Sequence, residues 1–300
     1  MIVVTGAAGY LGSRIVTSLL CGSMAGGGPV AGVDRAEAPT VTHRADILDG
    51  VMLRRAFRGA RAVIHTAGLN GGPGAPALTG EIRRINVGGT EAVIAAARDA
   101  GVPRLVLPST TALYGGAIHG AEAAVWVTEA LPPTPETAYE ESKRDAEALV
   151  LAAAGSFPEG CLILRCGRFF PAPPNETVND RLYRGVDPRD VAAAHILAAE
   201  RPGGGTAVLN IAAASPFAPE DCAELRRDAR PVLRRRHPFV EGAYRQLGWR
   251  LPATIDRVTA IDAARRAIGY VPQHNFREAL AEQLWLDAWP RRSEAAPEPS

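Results

Sequence analysis

A glycine-rich turn directly after the first apolar segment constrains the fold more than any other feature of this sequence. The segment Ile2–Thr5 is followed at once by the run Gly6-Ala7-Ala8-Gly9-Tyr10-Leu11-Gly12. Glycines let a backbone turn tightly and approach a phosphate closely, and the helix that follows offers free N–H groups and the positive end of its dipole. Such a strand–turn–helix unit predicts a dinucleotide-binding fold.

An acidic residue stands at the position where such a fold needs one. Asp34 follows the second apolar segment, 22 residues after Gly12, and the usual spacing to the acid that binds the adenosine ribose is about 20 residues. A carboxylate there accepts hydrogen bonds from the ribose hydroxyls and repels a 2′-phosphate, which favours NAD as the cofactor. Arg35 and Arg14 would instead attract that phosphate, so NADP is the alternative.

Short apolar segments alternate with helical patterns over the first two-thirds of the chain. This alternation predicts the α/β class, with a Rossmann-type, doubly wound parallel sheet. The predicted strands are Ile2–Thr5, Val30–Val33, Ala62–His65, Leu105–Ser109, Leu162–Arg165 and Ala207–Ile211. The predicted helices are Tyr10–Leu20, Val51–Phe57, Glu81–Ala100, Glu136–Ala154 and Asp187–Glu200.

The pattern changes after about residue 212, where short helices and turns replace the alternation. The helices predicted there are Asp221–Leu233, Pro238–Leu247, Ile261–Ile268 and Asn275–Trp285. We therefore predict a dinucleotide-binding domain of residues 1–165 and 186–213, and a smaller, mostly helical substrate-binding cap of residues 166–185 and 214–290. The polar, proline-containing end, residues 291–300, is predicted to be a disordered tail.

The composition excludes several classes of function. The net charge is +1, which predicts no nucleic-acid or acidic-membrane partner. No signal-like segment precedes Ile2, and the apolar runs are too short to cross a bilayer. The four cysteines have no metal-ligand spacing, which indicates reduced thiols and no metal site. We predict a cytoplasmic protein whose partner is a small-molecule substrate.

One lysine stands out because Lys143 is the only lysine among 33 basic residues. It lies four residues after Tyr139 in a predicted helix, so the two side chains share a face. Lowering a phenol pKa from near 10 to near 7 takes about 4 kcal/mol of preferential stabilisation of the phenolate. A nearby ammonium and the positive ring of an oxidised nicotinamide would supply it. We predict that Tyr139 and Lys143 transfer a proton beside a nicotinamide.

A hydroxyl group is expected next to this pair. Thr110 follows the predicted strand Leu105–Ser109, and ligands bind at the carboxyl ends of strands in this architecture. Its hydroxyl would hold the substrate oxygen beside Tyr139. Ser109 is the alternative for this role.

With these motifs in place, the chain resembles extended short-chain dehydrogenases/reductases of the NAD-dependent epimerase/dehydratase type. The matching residues run in order over about residues 1–212 and comprise Thr5 through Gly12, Asp34, Asp46-Ile47, His65 through Gly68, Asn86 through Thr90, Ser109 through Gly115, Tyr139 through Lys143, and Val186 through Asp190. The resemblance implies that Thr110, Tyr139 and Lys143 are the catalytic hydroxyl, the base and its helper. It implies a cofactor-binding set of Gly6, Gly9, Tyr10, Leu11, Gly12, Asp34, Arg35, Asp46, Ile47, Ala67, Gly68, Tyr139 and Lys143. It also implies a homodimer through the alanine-rich helices Glu91–Ala100 and Glu136–Ala154.

Departures from the family pattern bear on the reaction. Members that dehydrate nucleotide sugars have an acidic pair after the catalytic threonine, whereas this chain has Thr111 and Ala112, so dehydration is not expected. The short segment from Gly167 to Pro174, followed by Arg181, is similar to uronate dehydrogenases, which oxidise small sugar acids.

The same similarity implies that Arg181 meets a substrate carboxylate, with Arg168 or Arg184 as alternatives. Thr111 and His119 are further substrate-binding candidates. Asn86 is expected to tie backbone elements together beneath the site.

These features support three readings of the function. The first is an NAD(P)-dependent oxidoreductase that moves hydride to or from a hydroxyl-bearing carbon of a small sugar-like or other polar hydroxy or keto substrate. The second is a sugar or nucleotide-sugar epimerase that uses the same residues without net redox change. The third is a dinucleotide-sensing protein without catalysis, against which the intact tyrosine–lysine pair argues.

Overall fold

A twisted parallel sheet organises the chain in the computed structural model, which describes residues 1–22, 28–70, 79–201 and 203–294. The strands are β1 (Ile2–Thr5), β2 (Val30–Asp34), β3 (His43–Arg44), β4 (Ala62–His65), β5 (Leu105–Thr110), β6 (Val125–Val127), β7 (Cys161–Cys166), β8 (Ala207–Ile211) and β9 (Arg257–Thr259). Seven of them form the main sheet in the order β3-β2-β1-β4-β5-β7-β8, all parallel. The predicted Rossmann-type α/β class is confirmed.

Helices cover both faces of this sheet. Their bounds are α1 (Tyr10–Leu20), α2 (Gly50–Phe57), α3 (Thr79–Arg83), α4 (Gly89–Asp99), α5 (Gly115–Ile118), α6 (Ala138–Ala153), α7 (Pro174–Asp180), α8 (Pro188–Glu200), α9 (Cys222–Arg227), α10 (Ala229–Arg236), α11 (Val240–Gln246), α12 (Asp262–Ile268) and α13 (Phe276–Glu294). Helices α1 and α8 pack on one face, and α2, α4 and α6 pack on the other.

The strands are continuous apolar runs because both of their faces are buried. In β1, Ile2 and Val4 contribute to the core under α1 and α8, while Val3 contributes to the core under α2, α4 and α6. A strand buried on both faces has no polar side to alternate with. This explains why the sequence predicts the main strands to within one residue at each end.

The strand order creates the crevice in which a ligand can lie. The chain runs outward from β1 in two directions, toward β2 and β3 on one side and toward β4, β5, β7 and β8 on the other. At such a switch point the connections from neighbouring strands diverge and leave an opening at the carboxyl ends. Thr5, Asp34, His65 and Thr110 end their strands at this edge.

A third apolar core lies in the cap. It joins α7, α9, α10, α11 and α13 with β9, which pairs in parallel with β6. Two segments cross the predicted division between the domains. Strand β6 lies within the range predicted for the dinucleotide-binding domain but pairs with the cap, and α12 lies within the cap range but packs on the main core beside α8.

Several predicted helices differ in detail. The predicted helix Glu81–Ala100 consists of α3, a π-helical turn at Arg84–Gly88, and α4. The predicted helix Asp221–Leu233 is interrupted at Asp228, which has extended backbone and caps α10 by accepting from Arg230 N at 3.1 Å. Helix α13 continues to Glu294, beyond the start of the predicted tail, and residues 295–300 of that tail lie outside the described residues.

Within the described part of the chain, no helix combines the length and the apolar character that a membrane crossing requires. All four cysteines are free thiols.

Candidate active site

The turn between β1 and α1 forms a cradle that only glycine can line. Gly6 has a φ of +71°, and a Cβ there would lie 2.6 Å from the backbone nitrogen of Ala67. A Cβ on Gly12 would collide with the carbonyl oxygen of Gly6. No side chain caps the N-terminus of α1, so the backbone comes close to the crevice and the positive end of the helix faces it. Both features suit an anionic pyrophosphate.

The first part of the crevice, a cavity of about 180 Å³, lies beside β2. Its lining residues are Gly6, Gly9, Asp34, Arg35, Ala45, Asp46, Ile47, Thr66, Ala67, Gly68, Leu69, Glu81 and Ile85. The Asp34 carboxylate is fixed by accepting hydrogen bonds from Ala8 N at 3.0 Å and from Ala36 N at 2.9 Å. The predicted adenosine-binding residues are therefore together at this end.

The charges in this cavity disfavour the 2′-phosphate that distinguishes NADP from NAD. Among the described lining residues, Arg35 is the only cation, whereas Asp34, Asp46 and Glu81 are acidic. The charge of Arg35 contributes to the lowered pKa of Glu81, after the larger effect of the Glu81–Arg84 hydrogen bond. Arg14 does not line the cavity, because its guanidinium lies over the Tyr10 ring at 3.7 Å. The predicted preference for NAD over NADP is supported by this balance.

The second part of the crevice, a cavity of about 480 Å³, contains the predicted reacting groups. It shares Gly6, Gly9, Thr66, Ala67, Gly68 and Leu69 with the first cavity. The residues that line only the second cavity include Tyr10, Leu11, Gly12, Asn86, Thr110, Thr111, Tyr139, Lys143, Cys166, Arg168, Phe169, Phe170, Arg184 and Arg257. The two cavities form one groove, with the catalytic candidates at one end and the adenosine candidates at the other.

Helix α6 holds Tyr139 and Lys143 on one side of the second cavity. A capping box fixes its first turn, since Thr137 Oγ1 accepts from Glu140 N at 3.2 Å and Glu140 Oε2 accepts from Thr137 N at 3.3 Å. Tyr139 lies in that first turn and Lys143 lies one turn later. The ammonium of Lys143 donates to the carbonyl oxygen of Pro108 in β5 at 2.6 Å.

The protein alone does not make Tyr139 basic. Burial raises the Tyr139 pKa to about 12, and Cys166 and Glu140 act in the same direction. Burial lowers the Lys143 pKa to about 8, against the opposing effects of Glu147 and Cys166. Stabilising the phenolate at neutral pH therefore takes about 7 kcal/mol instead of the about 4 kcal/mol estimated from an ordinary tyrosine.

Thr110 and Ser109 face different sides of β5. Thr110 Oγ1 accepts a hydrogen bond from Ala112 N at 3.1 Å, which leaves its proton free to donate into the cavity. Ser109 follows Leu107 on the sheet face covered by α6, and its buried hydroxyl has no partner among the described residues. Both residues line the cavity, so Ser109 stays the alternative to Thr110.

Asn86 joins three segments beneath the site. Its side chain accepts from Leu69 N at 2.7 Å and donates to Leu69 O at 3.0 Å and to Ser142 Oγ at 2.9 Å. Ser142 Oγ in turn donates to Tyr139 O at 2.7 Å. Asn86 therefore links the segment after β4 to the first turn of the helix that carries Tyr139, as expected from the sequence.

Two of the predicted substrate-binding residues lie outside the second cavity. The exposed His119 contacts the Glu136 carboxylate at 3.0 Å, which keeps its ring at the surface. Arg181 is buried away from the reacting groups, where it donates to Asp187 Oδ2 at 3.1 Å and to His274 O at 2.6 Å. The predicted residues Thr111 and Arg168 do line the cavity, as does Arg184, the alternative to Arg181.

Other lining residues were not assigned a role from the sequence. Phe169 and Phe170 stack on each other at 4.6 Å, and Phe170 lies 5.6 Å from the Tyr10 ring, at the mouth of the cavity. Cys166 could have been found because it directly follows the predicted strand Leu162–Arg165, and it pairs with Thr110 in the sheet. Arg257 could not, since only the pairing of β6 with β9 brings it to the cavity.

Among the residues that the structure describes, no group of three or more His, Cys, Asp or Glu side chains is placed to hold a metal ion.

A family model described as the NAD dependent epimerase/dehydratase family matches residues 2–186, the segment that contains the glycine-rich turn, Asp34 and the candidate reacting groups. The chain belongs to the NAD dependent epimerase/dehydratase family. The resemblance predicted from the sequence is confirmed, and the NAD dependence of the family agrees with the predicted cofactor.

The relatives in this family include enzymes of different activity. A 3 beta-hydroxysteroid dehydrogenase/Delta 5-->4-isomerase of Mycobacterium tuberculosis is 33% identical over 166 residues, which are 51% of this chain and 43% of that protein. The chain thus spans less than half the length of that relative. A dTDP-glucose 4,6-dehydratase of Streptomyces antibioticus is 27% identical over 94% of this chain and 91% of its own length.

A solved structure covers almost the whole fold. MoeE5 in complex with UDP-glucose and NAD matches with a TM-score of 0.68 and 26% identity, over 98% of this chain and 99% of that chain. The family comparisons therefore establish the fold and the NAD-dependent family, and the relatives differ in the reaction that they catalyse.

Proposed function

We propose that this chain is an NAD-dependent oxidoreductase that acts on a hydroxyl-bearing or keto carbon of a small polar substrate. The convergence of Thr110, Tyr139 and Lys143 on one cavity, continuous with the adenosine-binding end of the groove, carries this proposal. The Tyr139 hydroxyl makes no hydrogen bond to another described residue, so it is available to a substrate.

The residues present fit a bound dinucleotide. The glycine-rich turn, where a Cβ on Gly6 or Gly12 would collide with the backbone, would hold the pyrophosphate. Asp34 would accept hydrogen bonds from the adenosine ribose. Asp46 and Ile47 would border the adenine, and Ala67 and Gly68 would border the central part. When bound, NAD supplies a carbon that exchanges hydride with the substrate, and its oxidised ring adds a positive charge beside Tyr139.

The chain's own groups handle the proton. Thr110 would donate to the substrate oxygen and hold it next to Tyr139, which takes the hydroxyl proton during oxidation and returns it during reduction. Lys143 stabilises the phenolate through its charge. Since its pKa is about 8, the lysine is mostly protonated at neutral pH, and its bond to Pro108 fixes the ammonium on the side of the cavity formed by β5.

The first test is the variant Tyr139→Phe. We expect turnover to fall by about 10²- to 10⁴-fold, since an acid–base group is lost, while NAD binding measured by titration calorimetry stays within a few-fold of wild type. Arg266→Gln, an exposed substitution away from both cavities, serves as the control. Near-normal turnover of Tyr139→Phe would remove the tyrosine from the mechanism.

A second candidate reaction is epimerisation by the same residues. It is favoured by the family match and by a UDP-glucose 4-epimerase of Streptomyces lividans that is 31% identical over 53% of this chain. Product of inverted configuration without net NADH formation would favour this reaction over oxidation. Dehydration has less support, because Thr111 cannot act as an acid and instead donates to Cys166 O at 3.3 Å.

A further inference from the structure

Three arginines form one side of the cavity that contains Tyr139. Arg168, Arg184 and Arg257 all line this cavity, and we call them the arginine wall. They come from three different segments, namely the loop after β7, the loop after α7, and strand β9 of the cap. Like charges gathered in one place repel each other, so the arrangement calls for a physical reason.

The backbone fixes the first two arginines opposite one another. Arg168 N donates to Arg184 O at 3.0 Å, and Val186 N donates to Arg168 O at 3.0 Å. Both guanidinium groups contact the buried carboxylate of Asp180, Arg184 through a 2.7 Å hydrogen bond and Arg168 through a 3.4 Å ion pair. Asp180 therefore holds Arg168 and Arg184 side by side.

The cap delivers the third arginine to the same place. Thr259 N donates to Tyr183 O at 2.8 Å, which attaches the end of β9 to the residue before Arg184. Arg257 lies two residues earlier on the same side of β9, where its guanidinium donates to Asp256 Oδ1 at 3.0 Å and Oδ2 at 2.8 Å. The charge of Asp256 also contributes to the raised pKa of Arg184. The Arg257–Asp256 pair and the Arg184–Asp180 pair are therefore electrostatically coupled.

The wall keeps one uncompensated positive charge and several free donors. Asp180 and Asp256 offset two of the three guanidinium charges. The contacts to these acids use the Nε atoms of Arg168 and Arg184, and Nε and Nη2 of Arg257. The Nη groups of Arg168 and Arg184 make no hydrogen bond to any residue that the structure describes.

We infer that the arginine wall binds one carboxylate group of the substrate, so that the substrate class is that of small hydroxy or keto acids. A planar carboxylate matches the two-pronged donor face of a guanidinium, and one net positive charge matches one negative charge. A nucleotide diphosphate carries two to three negative charges and a base, and the cavity of about 480 Å³ must also accept the nicotinamide end of the cofactor. This inference rests on the proposed function for the placement of the reacting carbon near Tyr139.

Direct binding tests the carboxylate separately from catalysis. Titration calorimetry of the NAD-loaded Tyr139→Phe variant, in which turnover of a bound acid is suppressed, would compare glucuronate with glucose and gluconate with glucitol, and UDP would test the diphosphate alternative. We expect measurable binding of the acids, at least 10-fold weaker binding of the neutral partners, and weaker binding of UDP than of the acids. The inference would be overturned if an acid and its neutral partner bind comparably, or if neither acid binds. It would also be overturned if UDP binds more strongly than the acids and this binding depends on the arginines.

Variants then assign the effect to the wall. Arg257→Met and Arg184→Met keep most of the side-chain stem but remove the charge, and each is expected to weaken acid binding by about 10- to 100-fold, the loss of one or two charge-assisted hydrogen bonds. Arg257→Lys keeps the charge without the fork and should recover part of the affinity, and the control Arg266→Gln should bind the acids with unchanged affinity. NAD affinity should stay unchanged throughout, which checks that each variant is folded. Acid binding that is unaffected in both methionine variants would overturn the inference.

The two proposals can fail separately. If Tyr139→Phe loses turnover while the arginine variants bind the acids with unchanged affinity, the proposed oxidoreductase activity is kept and the proposed substrate class is wrong. If acid binding depends on the wall while Tyr139→Phe keeps full turnover, the anion site stands and the catalytic proposal is wrong.

Discussion

At the scale of single residues, the charge of Lys143 opposes folding. Burial lowers its pKa from 10.5 to about 8, so between these values the unfolded chain binds a proton that the folded chain has released. Stability therefore rises with pH across this window. Below about pH 8 both states are protonated and the penalty is complete, up to about 3 kcal/mol. Such a cost is expected where a charge serves a function.

We predict that Lys143→Met is more stable than wild type at pH 7, even though the variant loses the hydrogen bond to Pro108, worth about 1 kcal/mol. This margin should shrink above pH 8 and vanish or reverse above pH 10.5, as the lysine of the unfolded wild-type chain also loses its proton. Urea unfolding at a series of pH values measures the margin. Arg144→Met, on the exposed face of the same helix, should show no such trend. A stability difference between Lys143→Met and wild type that does not change with pH would contradict the lowered pKa of Lys143.

At the scale of elements, the π-helical turn before α4 places Asn86 under the site. A turn with one extra residue interrupts a helix and is often found at functional sites. Here it lets the Asn86 amide satisfy both backbone groups of Leu69 and reach Ser142 on α6. The position of Tyr139 thus depends on a contact made from another helix.

We predict that Asn86→Ala lowers the free energy of unfolding by about 1 to 3 kcal/mol, because it removes the side-chain partner of the partly buried backbone groups of Leu69. It should also lower kcat more than it weakens NAD binding, since it releases the first turn of α6. Ser142→Ala, which keeps the Leu69 bonds and removes the two hydrogen bonds of the Ser142 hydroxyl, to Asn86 and to Tyr139 O, should cost less stability. Thermal unfolding and steady-state kinetics measure both effects. An equal loss of unfolding free energy in the two variants would show that the hydrogen bonds from Asn86 to Leu69 contribute little to stability.

The strands and the site residues show how much of the structure could be predicted from the sequence. Strands such as β1 and β4 were predicted at their observed bounds because unbroken apolar runs bounded by glycine or polar residues leave little choice. Strands β3, β6 and β9 have only two or three residues, too few for a pattern, and they form because neighbouring segments offer them an edge. Asp34, Thr110, Tyr139 and Lys143 could be proposed from the sequence because each stands in a local pattern. Asp34 lies 22 residues after Gly12, Thr110 follows a predicted strand, and Lys143 lies four residues after Tyr139. Arg257 reaches the site only through pairing with a strand 132 residues earlier, which no local pattern records.

At the scale of the whole molecule, α4 and α6 lie side by side on one face of the sheet. The resemblance predicts that this pair forms the interface of a homodimer. Leu151 near the end of α6 is 45% exposed, an apolar side chain open to contact with a partner. On the opposite face of the sheet, Leu20 at the end of α1 is 65% exposed, and it offers a matched comparison.

We predict that the wild-type chain is a dimer in solution and that Leu151→Arg shifts it toward the monomer, because two copies of the new charge would face each other across a two-fold interface. Leu20→Arg adds the same charge to a more exposed apolar position away from α4 and α6, so it should leave the dimer intact. Light scattering coupled to size-exclusion chromatography, run over a range of concentrations, measures the mass of each protein. A monomeric wild type would remove the predicted dimer altogether. Dissociation by Leu20→Arg but not by Leu151→Arg would move the interface to the face formed by α1 and α8.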